Sequence, residues 1–386
     1  MESPPSGVAT PGNASPFAGR VFLAPLTKGG HLAFRRLCVS FGAEVTVSEM
    51  AVARRLLQNR AAEFALLRSH PSEPFFGVQL ADKNPESLAE AGRIAEARGA
   101  RFIDLNCGCP IREITGRGLG ASLLRRATRL GHLVAALREA VRVPVTVKLR
   151  TGWKEDPEHL SKLAHLCEDA GASALTIHGR SREQHYDRAA DWALIGRIAA
   201  ERTIPVVGNG DILTHYEARD RRALSGVSSV MIARGALIKP WIFRELAEGR
   251  SFFPTPEERI GILFKLVAYM KDHFGADERG ARRIMQFLPW HFSFFCRYRP
   301  LPEETFLEAS RTHPLLQTRF GGIGAPGTLE ALLADPSEAT HDLLARELLA
   351  SLSESEALDR LRRVGEAGGV PAPSGPGEGL DALVAG

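Results

Sequence analysis

The fold is decided by residues 101–125, RFIDLNCGCPIREITGRGLGASLLR. The segment opens as a strand, Phe102-Ile103-Asp104-Leu105, in which apolar residues are broken by an acid. It then turns sharply through Asn106-Cys107-Gly108-Cys109-Pro110. Gly108 tolerates backbone conformations closed to other residues, and Pro110 fixes its own φ and removes an amide donor. A glycine-rich run, Gly116-Arg117-Gly118-Leu119-Gly120, follows as a loop with exposed amides and feeds a helix expected from near Ala121. A strand, a thiol-bearing turn and an open loop are what the carboxyl end of an α/β barrel strand carries.

Outward from this segment the same unit repeats. Candidate strands cover 21–26, 44–48, 75–80, 101–106, 143–150, 174–178, 204–208 and 229–233. Helical segments lie between them, at 85–98, 123–141, 157–170, 191–200 and 215–223. Several begin after Asp, Asn or Thr, which cap helix N-termini, and several end near Gly99, Gly171 or Gly226. Eight strands alternating with helices imply a parallel sheet closed as a (β/α)8 TIM barrel. An open doubly wound sheet is the rival. It is disfavoured because unusual residues follow nearly every strand, as a ring of βα loops requires.

After Phe253-Pro254-Thr255-Pro256 the pattern becomes helical, with helices expected over 257–299, 302–312, 329–334 and 339–364. The expected organisation is a disordered N-terminus at 1–18, the barrel at 19–253, a C-terminal α-helical domain at 254–365 and a disordered Gly/Ala/Pro-rich tail at 366–386. The N-terminal stretch shows no charged start followed by a long apolar run, so no secretory signal is expected; a transit peptide stays open because the stretch is poor in acids.

Hydrophobic content of 44% and charged content of 24% are those of an ordinary globular chain. No apolar run approaches the ~20 residues of a membrane helix, and no membrane partner is expected. The five cysteines, at 38, 107, 109, 167 and 296, are odd in number and scattered, which favours a reducing compartment over a disulfide framework. The net charge is +4, unevenly spread: residues 259–299 hold 8 Lys and Arg against 3 Asp and Glu, and residues 300–386 hold 6 against 14. A basic barrel with a basic adjoining helical segment suits a polyanionic partner, although a merely solvated surface reads the same way.

Taken together, Asn106-Cys107-Gly108-Cys109-Pro110 and seven further motifs resemble the tRNA-dihydrouridine synthases. In chain order these are Ala24-Pro25-Leu26-Thr27, Ser48-Glu49-Met50, Gly77-Val78-Gln79-Leu80, Val147-Lys148, His178-Gly179-Arg180-Ser181-Arg182, Gly208-Asn209-Gly210-Asp211 and Ile232-Ala233-Arg234-Gly235-Ala236. The resemblance covers roughly residues 20–300 and is nearest the eukaryotic branch acting on tRNA position 47. It implies an FMN-dependent reduction of uridine to dihydrouridine, with NADPH as electron donor. It also implies tRNA as partner, with mRNA as a further candidate substrate. The chain is expected to be a monomer in the cytoplasm, with the nucleus as a second compartment.

The residues themselves point the same way. The loops after strands seven and eight, where barrels bind phosphate, carry Asn209, Gly210 and Asp211, then Ala233 and Arg234. Either loop alone reads equally well as a tight turn. Lys148 ends strand five and can face the N1–C2 edge of a reduced flavin, unless it is an ordinary snorkelling lysine. Gln79 ends strand three with an amide that can donate and accept. Pro25, Leu26 and Thr27 end strand one and can lie against a ring. The resemblance adds His178 to the FMN contacts. No dinucleotide fingerprint is present, so no separate NADPH domain is expected.

Reducing uracil across C5=C6 needs a hydride at C6 and a proton at C5. A thiol of ordinary pKa, ~8.5, is protonated at neutral pH and can act as that acid. Cys107 and Cys109 both sit at the turn. The resemblance assigns the role to Cys109, the cysteine before proline. No His or Cys pair stands at ligand spacing beside them, and no metal is expected. Asn106, Arg180 and Tyr186 are the candidate substrate contacts. Arg279, Arg282, Arg283, Arg297 and Arg299, interleaved with Trp290, Phe292 and Tyr298, are candidate RNA contacts or, equally, the rim of a packed core.

Two features depart from the position-47 pattern. Arg112 and Arg117 stand where that branch usually has lysines, and this chain has no N-terminal Cys/His zinc motif, which leaves open a minimal form or a part of a longer product. The rival functions are a barrel flavoprotein acting on a free pyrimidine and a non-catalytic RNA-binding relative.

Overall fold

Short apolar strands that alternate with capped helices can bury both faces only in a parallel sheet covered by helices. The computed structural model, which describes residues 15–367 except 185, 187, 312, 313 and 322, shows that arrangement closed on itself. Its strands are β1 (Val21–Leu23), β2 (Val45–Val47), β3 (Ala51–Val52), β4 (Phe76–Ala81), β5 (Phe102–Cys107), β6 (Val145–Arg150), β7 (Ala174–His178), β8 (Val206–Asn209) and β9 (Ser229–Ile232). All pair in parallel in the order β2-β1-β9-β8-β7-β6-β5-β4-β3, and a β2–β4 pairing closes the ring. Eight strands form the barrel; β3 is a two-residue extension beside β4. The chain is thus a TIM barrel with further helices after it, and the eight sequence segments lie on its eight strands.

The helices start where the caps require. Asn84, Asp156 and Asp191 each accept a backbone N–H in the first turn, and Thr214 with Glu217 forms a full capping box. Gly226 ends the helix His215–Ser225 in a left-handed conformation. Among the described residues no helix is long and apolar enough to cross a membrane.

The amino-terminal end of the barrel is plugged by aromatics. Phe17 is fully buried, edge-on to Phe75 and Phe102 at 5.7 and 5.3 Å between ring centroids. Ser229 Oγ donates to the Phe17 carbonyl at 2.6 Å. The expectation of disorder through residue 18 is therefore corrected for 15–18; residues 1–14, and all of the expected tail beyond residue 367, lie outside the described residues. Gly77 makes room for the plug, because a Cβ there would stand 2.2 Å from the Phe102 ring.

Beyond the barrel run helices Pro256–Phe274, Glu278–Ile284, Leu288–Phe295 and Glu303–Ala309, where the sequence suggested two longer ones. The expected single helix over 339–364 is two, Glu338–Ala350 and Glu354–Glu366, broken where Ser353 caps the second. Helix Pro256–Phe274 packs on the barrel helix Leu32–Val39. Trp290 from Leu288–Phe295 comes so close to the loop after β1 that a Cβ on Gly29 would lie 2.8 Å from its ring.

Candidate active site

Strand register sets the ring of groups at the carboxyl end of the barrel. Gln79 lies opposite Asp104, Asn106 opposite Lys148, Arg150 opposite His178, and His178 opposite Asn209. Side chains two apart on a strand share a face, so Asp104 with Asn106, and Lys148 with Arg150, point to the same side.

The turn after β5 separates its two thiols. Cys107 ends the strand, fully buried; burial raises its pKa well above the usual range, and Cys167 of the helix Pro157–Asp169 adds to the rise. It faces the helical layer. Cys109 lies past the strand end among Lys148, Arg150 and Glu113. Burial raises its pKa, partly offset by a hydrogen bond from the Ile111 amide and by the Arg150 and Lys148 cations. The Cys109 thiol is therefore protonated at neutral pH and has cations beside it to hold the thiolate once the proton leaves.

Asn106 holds this turn: its Oδ1 accepts the backbone N–H of Cys109 at 3.0 Å and of Gly108 at 3.3 Å. Its Nδ2 donates to Gln79 Oε1 at 2.8 Å, and Gln79 Nε2 donates to Asp104 Oδ2 at 2.8 Å. The glycine-rich run folds back over the turn instead of presenting open amides. Ala121 N–H donates to the Cys109 carbonyl at 3.0 Å, and a Cβ on Gly120, at φ 59°, would stand 2.7 Å from that oxygen. A 3-10 helix, Gly120–Arg125, precedes the helix Ala127–Ala140.

Lys148 is 1% exposed, and burial followed by the neighbouring Arg150 pulls its pKa down to about 8, against Asp104 and Cys109, which hold it up. Arg150, which the sequence reading missed, ties the loops after β5 and β7 to the end of β6. Its Nε donates to the Gly108 carbonyl at 2.8 Å, one guanidinium nitrogen donates to the Ser181 carbonyl at 3.2 Å, and it hydrogen-bonds Tyr186. The alternation Lys148-Leu149-Arg150 carried the signal. His178 is kept neutral, well below its ordinary pKa, by burial and then by Arg150, Lys148, Arg180 and Arg234.

The two candidate anion loops adjoin. Gly235 lets them touch, since a Cβ there would fall 2.1 Å from the Ile212 carbonyl, and Gly210 at φ 131° approaches Ala190 in the same way. Asn209 Nδ2 donates across to the Met231 carbonyl at 2.8 Å. Arg180, a candidate substrate contact, is wholly buried, and one of its guanidinium nitrogens donates to both carboxylate oxygens of Asp211, at 2.7 and 2.9 Å. Asp211 also accepts the Ala190 amide and Gln317 Nε2, each at 2.7 Å. Arg234 packs 3.6 Å over the Tyr186 ring and donates to Gln317 Oε1 at 2.8 Å. A cavity of about 20 Å³ is left here among His178, Tyr186, Arg234 and Leu316. Gln317, from the C-terminal region, was not foreseen.

Pro25 and Leu26 are buried after β1 and Thr27 is half-buried. The following Lys28, at φ 65°, donates its amide to Glu49 at 2.8 Å, and burial raises the pKa of that carboxyl to about 7. The structure thus gathers Asn106, Cys109, Lys148, His178, Arg234 and Tyr186 at one end of the barrel. In the candidate RNA patch, Trp290, Phe292 and Tyr298 are core residues, and Arg297 and Arg299 donate to the Leu316, Cys296 and Tyr298 carbonyls. Arg279, Arg282 and Arg283 are exposed.

A flavin mononucleotide fits the chemistry of this donor set: two adjoining glycine loops with a buried arginine for the phosphate, and a buried lysine across the ring. The space left between these loops, about 20 Å³, is that of one water, so a phosphate would enter only with a shift of the side chains around it.

Residues 22–313 match the family model described as Dihydrouridine synthase (Dus). A human protein, tRNA-dihydrouridine(47) synthase (NAD(P)(+))-like, is 41% identical over 73% of this chain and 44% of its own length. A rice protein of the same description is 42% identical over 74% of this chain and 42% of its own. The tRNA-dihydrouridine(47) synthase (NAD(P)(+)) of Coprinopsis cinerea is 38% identical over 82% of this chain and 48% of its own. The chain therefore spans less than half the length of these relatives.

Proposed function

The chain belongs to the dihydrouridine synthase family, and we propose that it reduces uridine to 5,6-dihydrouridine in tRNA, at position 47, with FMN as cofactor and NADPH as electron donor. The observation that carries this reading is the Cys109 turn. A protonated thiol stands beside two buried cations, on the same barrel end as two phosphate-suited loops.

Lys148, Gln79, His178 and the segment Pro25-Leu26-Thr27 would hold the isoalloxazine; the backbone N–H groups of Asn209, Gly210, Asp211 and Ala233, with the Arg234 guanidinium, would hold the phosphate. The chemistry that a reduced flavin supplies in such a place is a hydride for uracil C6. Cys109 gives its proton to C5, and the thiolate left behind is stabilised by Arg150 and Lys148. Asn106 and Arg150 keep the thiol in place through the Cys109 amide and the Gly108 carbonyl. Tyr186, stacked on Arg234, would meet the entering base.

A polyanionic substrate suits the surface. A groove of about 690 Å³, formed by the segment 64–70 with the ends of helices Leu32–Val39, Pro85–Ala97 and Pro256–Phe274, is lined by Arg36, Arg68, Arg98, His70 and His273, with Asp272 as its acid. Burial, then Arg68, Arg35 and Arg36, holds His273 down at about 4. A base acted on by this site must leave its stack, so the RNA is gripped by its phosphates while one nucleotide enters the barrel. The test is to incubate the purified chain with unmodified tRNA, FMN and NADPH and to map dihydrouridine by position. Signal at position 47 supports the reading; NADPH-dependent reduction of free uracil with none in tRNA would replace it with pyrimidine reduction.

A further inference from the structure

Asp104 sits one strand residue pair below the turn, 3% exposed, and the reaction as read above makes no use of it. Its two oxygens are both engaged, by Thr146 Oγ1 at 2.6 Å and by Gln79 Nε2 at 2.8 Å. From Gln79 the bonds run on to Asn106 and from there to the Cys109 amide.

The direction of this chain of bonds is not free. The oxygen and nitrogen of a carboxamide are close in size, so packing alone does not choose which way Gln79 or Asn106 points. Burial raises the Asp104 pKa, and the hydrogen bonds from Thr146 and Gln79 together with the Lys148 cation work against that rise; as a carboxylate it accepts and never donates. It therefore demands the Gln79 NH2 group, which leaves Gln79 Oε1 for Asn106. That oxygen demands the Asn106 NH2 group, which leaves Asn106 Oδ1 for the backbone N–H of Cys109. If the first amide turned over, the second would follow, and an NH2 group would face the Cys109 N–H with no acceptor between them.

We propose that Asp104 is a positioning residue, which sets the orientation of both carboxamides and through them the place of the Cys109 backbone. It touches neither thiol nor substrate; it acts through Gln79 and Asn106. The same orientation leaves one N–H of Gln79 and one of Asn106 to point elsewhere, so Asp104 also fixes which edge each amide offers to a ring in the barrel mouth. The turnover consequence rests on the proposed reduction, whereas the geometric one does not.

Asp104→Asn keeps size and shape but can donate toward Gln79, so it removes the constraint from that end and leaves only the Cys109 and Gly108 N–H groups to hold Asn106 Oδ1 in place. Selective 15N-cysteine labelling of the full chain gives five backbone signals, of which Cys109→Ser identifies one. In Asp104→Asn the Cys109 signal is expected to move as its hydrogen bond weakens, while those of Cys38 and Cys296 stay. Turnover on tRNA is expected to lose roughly tenfold in kcat with KM little changed, the scale of one misdirected hydrogen bond at a reacting group. Adding Gln79→Glu restores the direction, because a carboxylate at position 79 accepts both from the carboxamide introduced at position 104 and from Asn106. The Cys109 signal of that double variant is expected to return toward the wild-type position, and this variant also decides the matter where Asp104→Asn alone does not fold. An unmoved Cys109 signal in folded Asp104→Asn, or a folded double variant whose signal does not return, would overturn the proposal. A moved signal in a protein whose wild type makes no dihydrouridine would leave the relay standing and remove the proposed function instead.

Discussion

His31 and His291 meet at 2.9 Å between their Nε2 atoms, joining the loop after β1 to the helix Leu288–Phe295. His31 Nδ1 accepts the Phe34 amide at the start of helix Leu32–Val39, so its proton is on Nε2 and is donated to His291. Both rings are buried, with Phe274, Phe287 and Phe34 around them. Burial holds His291 at about 3 and, with His291 and His273 beside it, holds His31 well below its ordinary value.

This pair gives stability a pH dependence of definite sign. The folded pKa values lie below the unfolded one, so the unfolded chain takes up more protons between them. The contribution is fully present above pH ~6.5 and is lost as pH falls toward the folded values, by up to about 1.4 kcal/mol per pH unit for each ring. Thermal melts from pH 7 to pH 4 are expected to show a falling Tm, and His291→Gln, which can still accept from His31, is expected to flatten the slope. An unchanged slope in that variant would assign the acid lability elsewhere.

Phe17 closes the floor of the barrel far from the mouth. Phe17→Ala leaves a cavity among Phe22, Phe75 and Phe102 and is expected to cost about 3 kcal/mol in urea unfolding, the usual scale for a buried phenylalanine. Flavin affinity is expected to stay as in the wild type, and a large loss of affinity would contradict this placement.

Gln317 bridges Arg234 and Asp211 where a phosphate is proposed to bind. Gln317→Ala is expected to tighten FMN binding about fivefold, the scale of one displaced hydrogen-bonding group, and to leave riboflavin, which lacks the phosphate, unchanged. Fluorescence titration of both flavins checks this. Weaker FMN binding in the variant would make Gln317 part of the phosphate site instead of its placeholder.

The barrel was legible in the sequence because each of its strands is a short apolar run ending in an unusual residue, and both properties are local. Lys148 and Asn209 were found from their strand-end positions together with the family motifs they stand in. Phe17 was not, because one aromatic in a Pro/Ser/Gly-rich stretch says nothing about the ring cluster it enters. Alternation could have placed Arg150 on the face of Lys148, but not its bond to Gly108 from the next strand. The Arg180–Asp211 pair and the reach of Gln317 to Arg234 depend on how the chain returns to the barrel mouth, which no window of sequence contains. The break at Ser351–Ser353 was visible in principle, since Ser353 stands three residues before Glu356 as a helix cap does.

The central claim is that Cys109 is the acid of the reduction, and Cys109→Ala tests it most directly. The full chain and the variant are each loaded with FMN, reduced with NADPH, and mixed with unmodified tRNA in a single turnover. The expected result is a variant that binds flavin and is reduced like the wild type, yet forms dihydrouridine at least ~100-fold more slowly, the usual worth of a positioned general acid. A variant that makes dihydrouridine at the wild-type rate would contradict it.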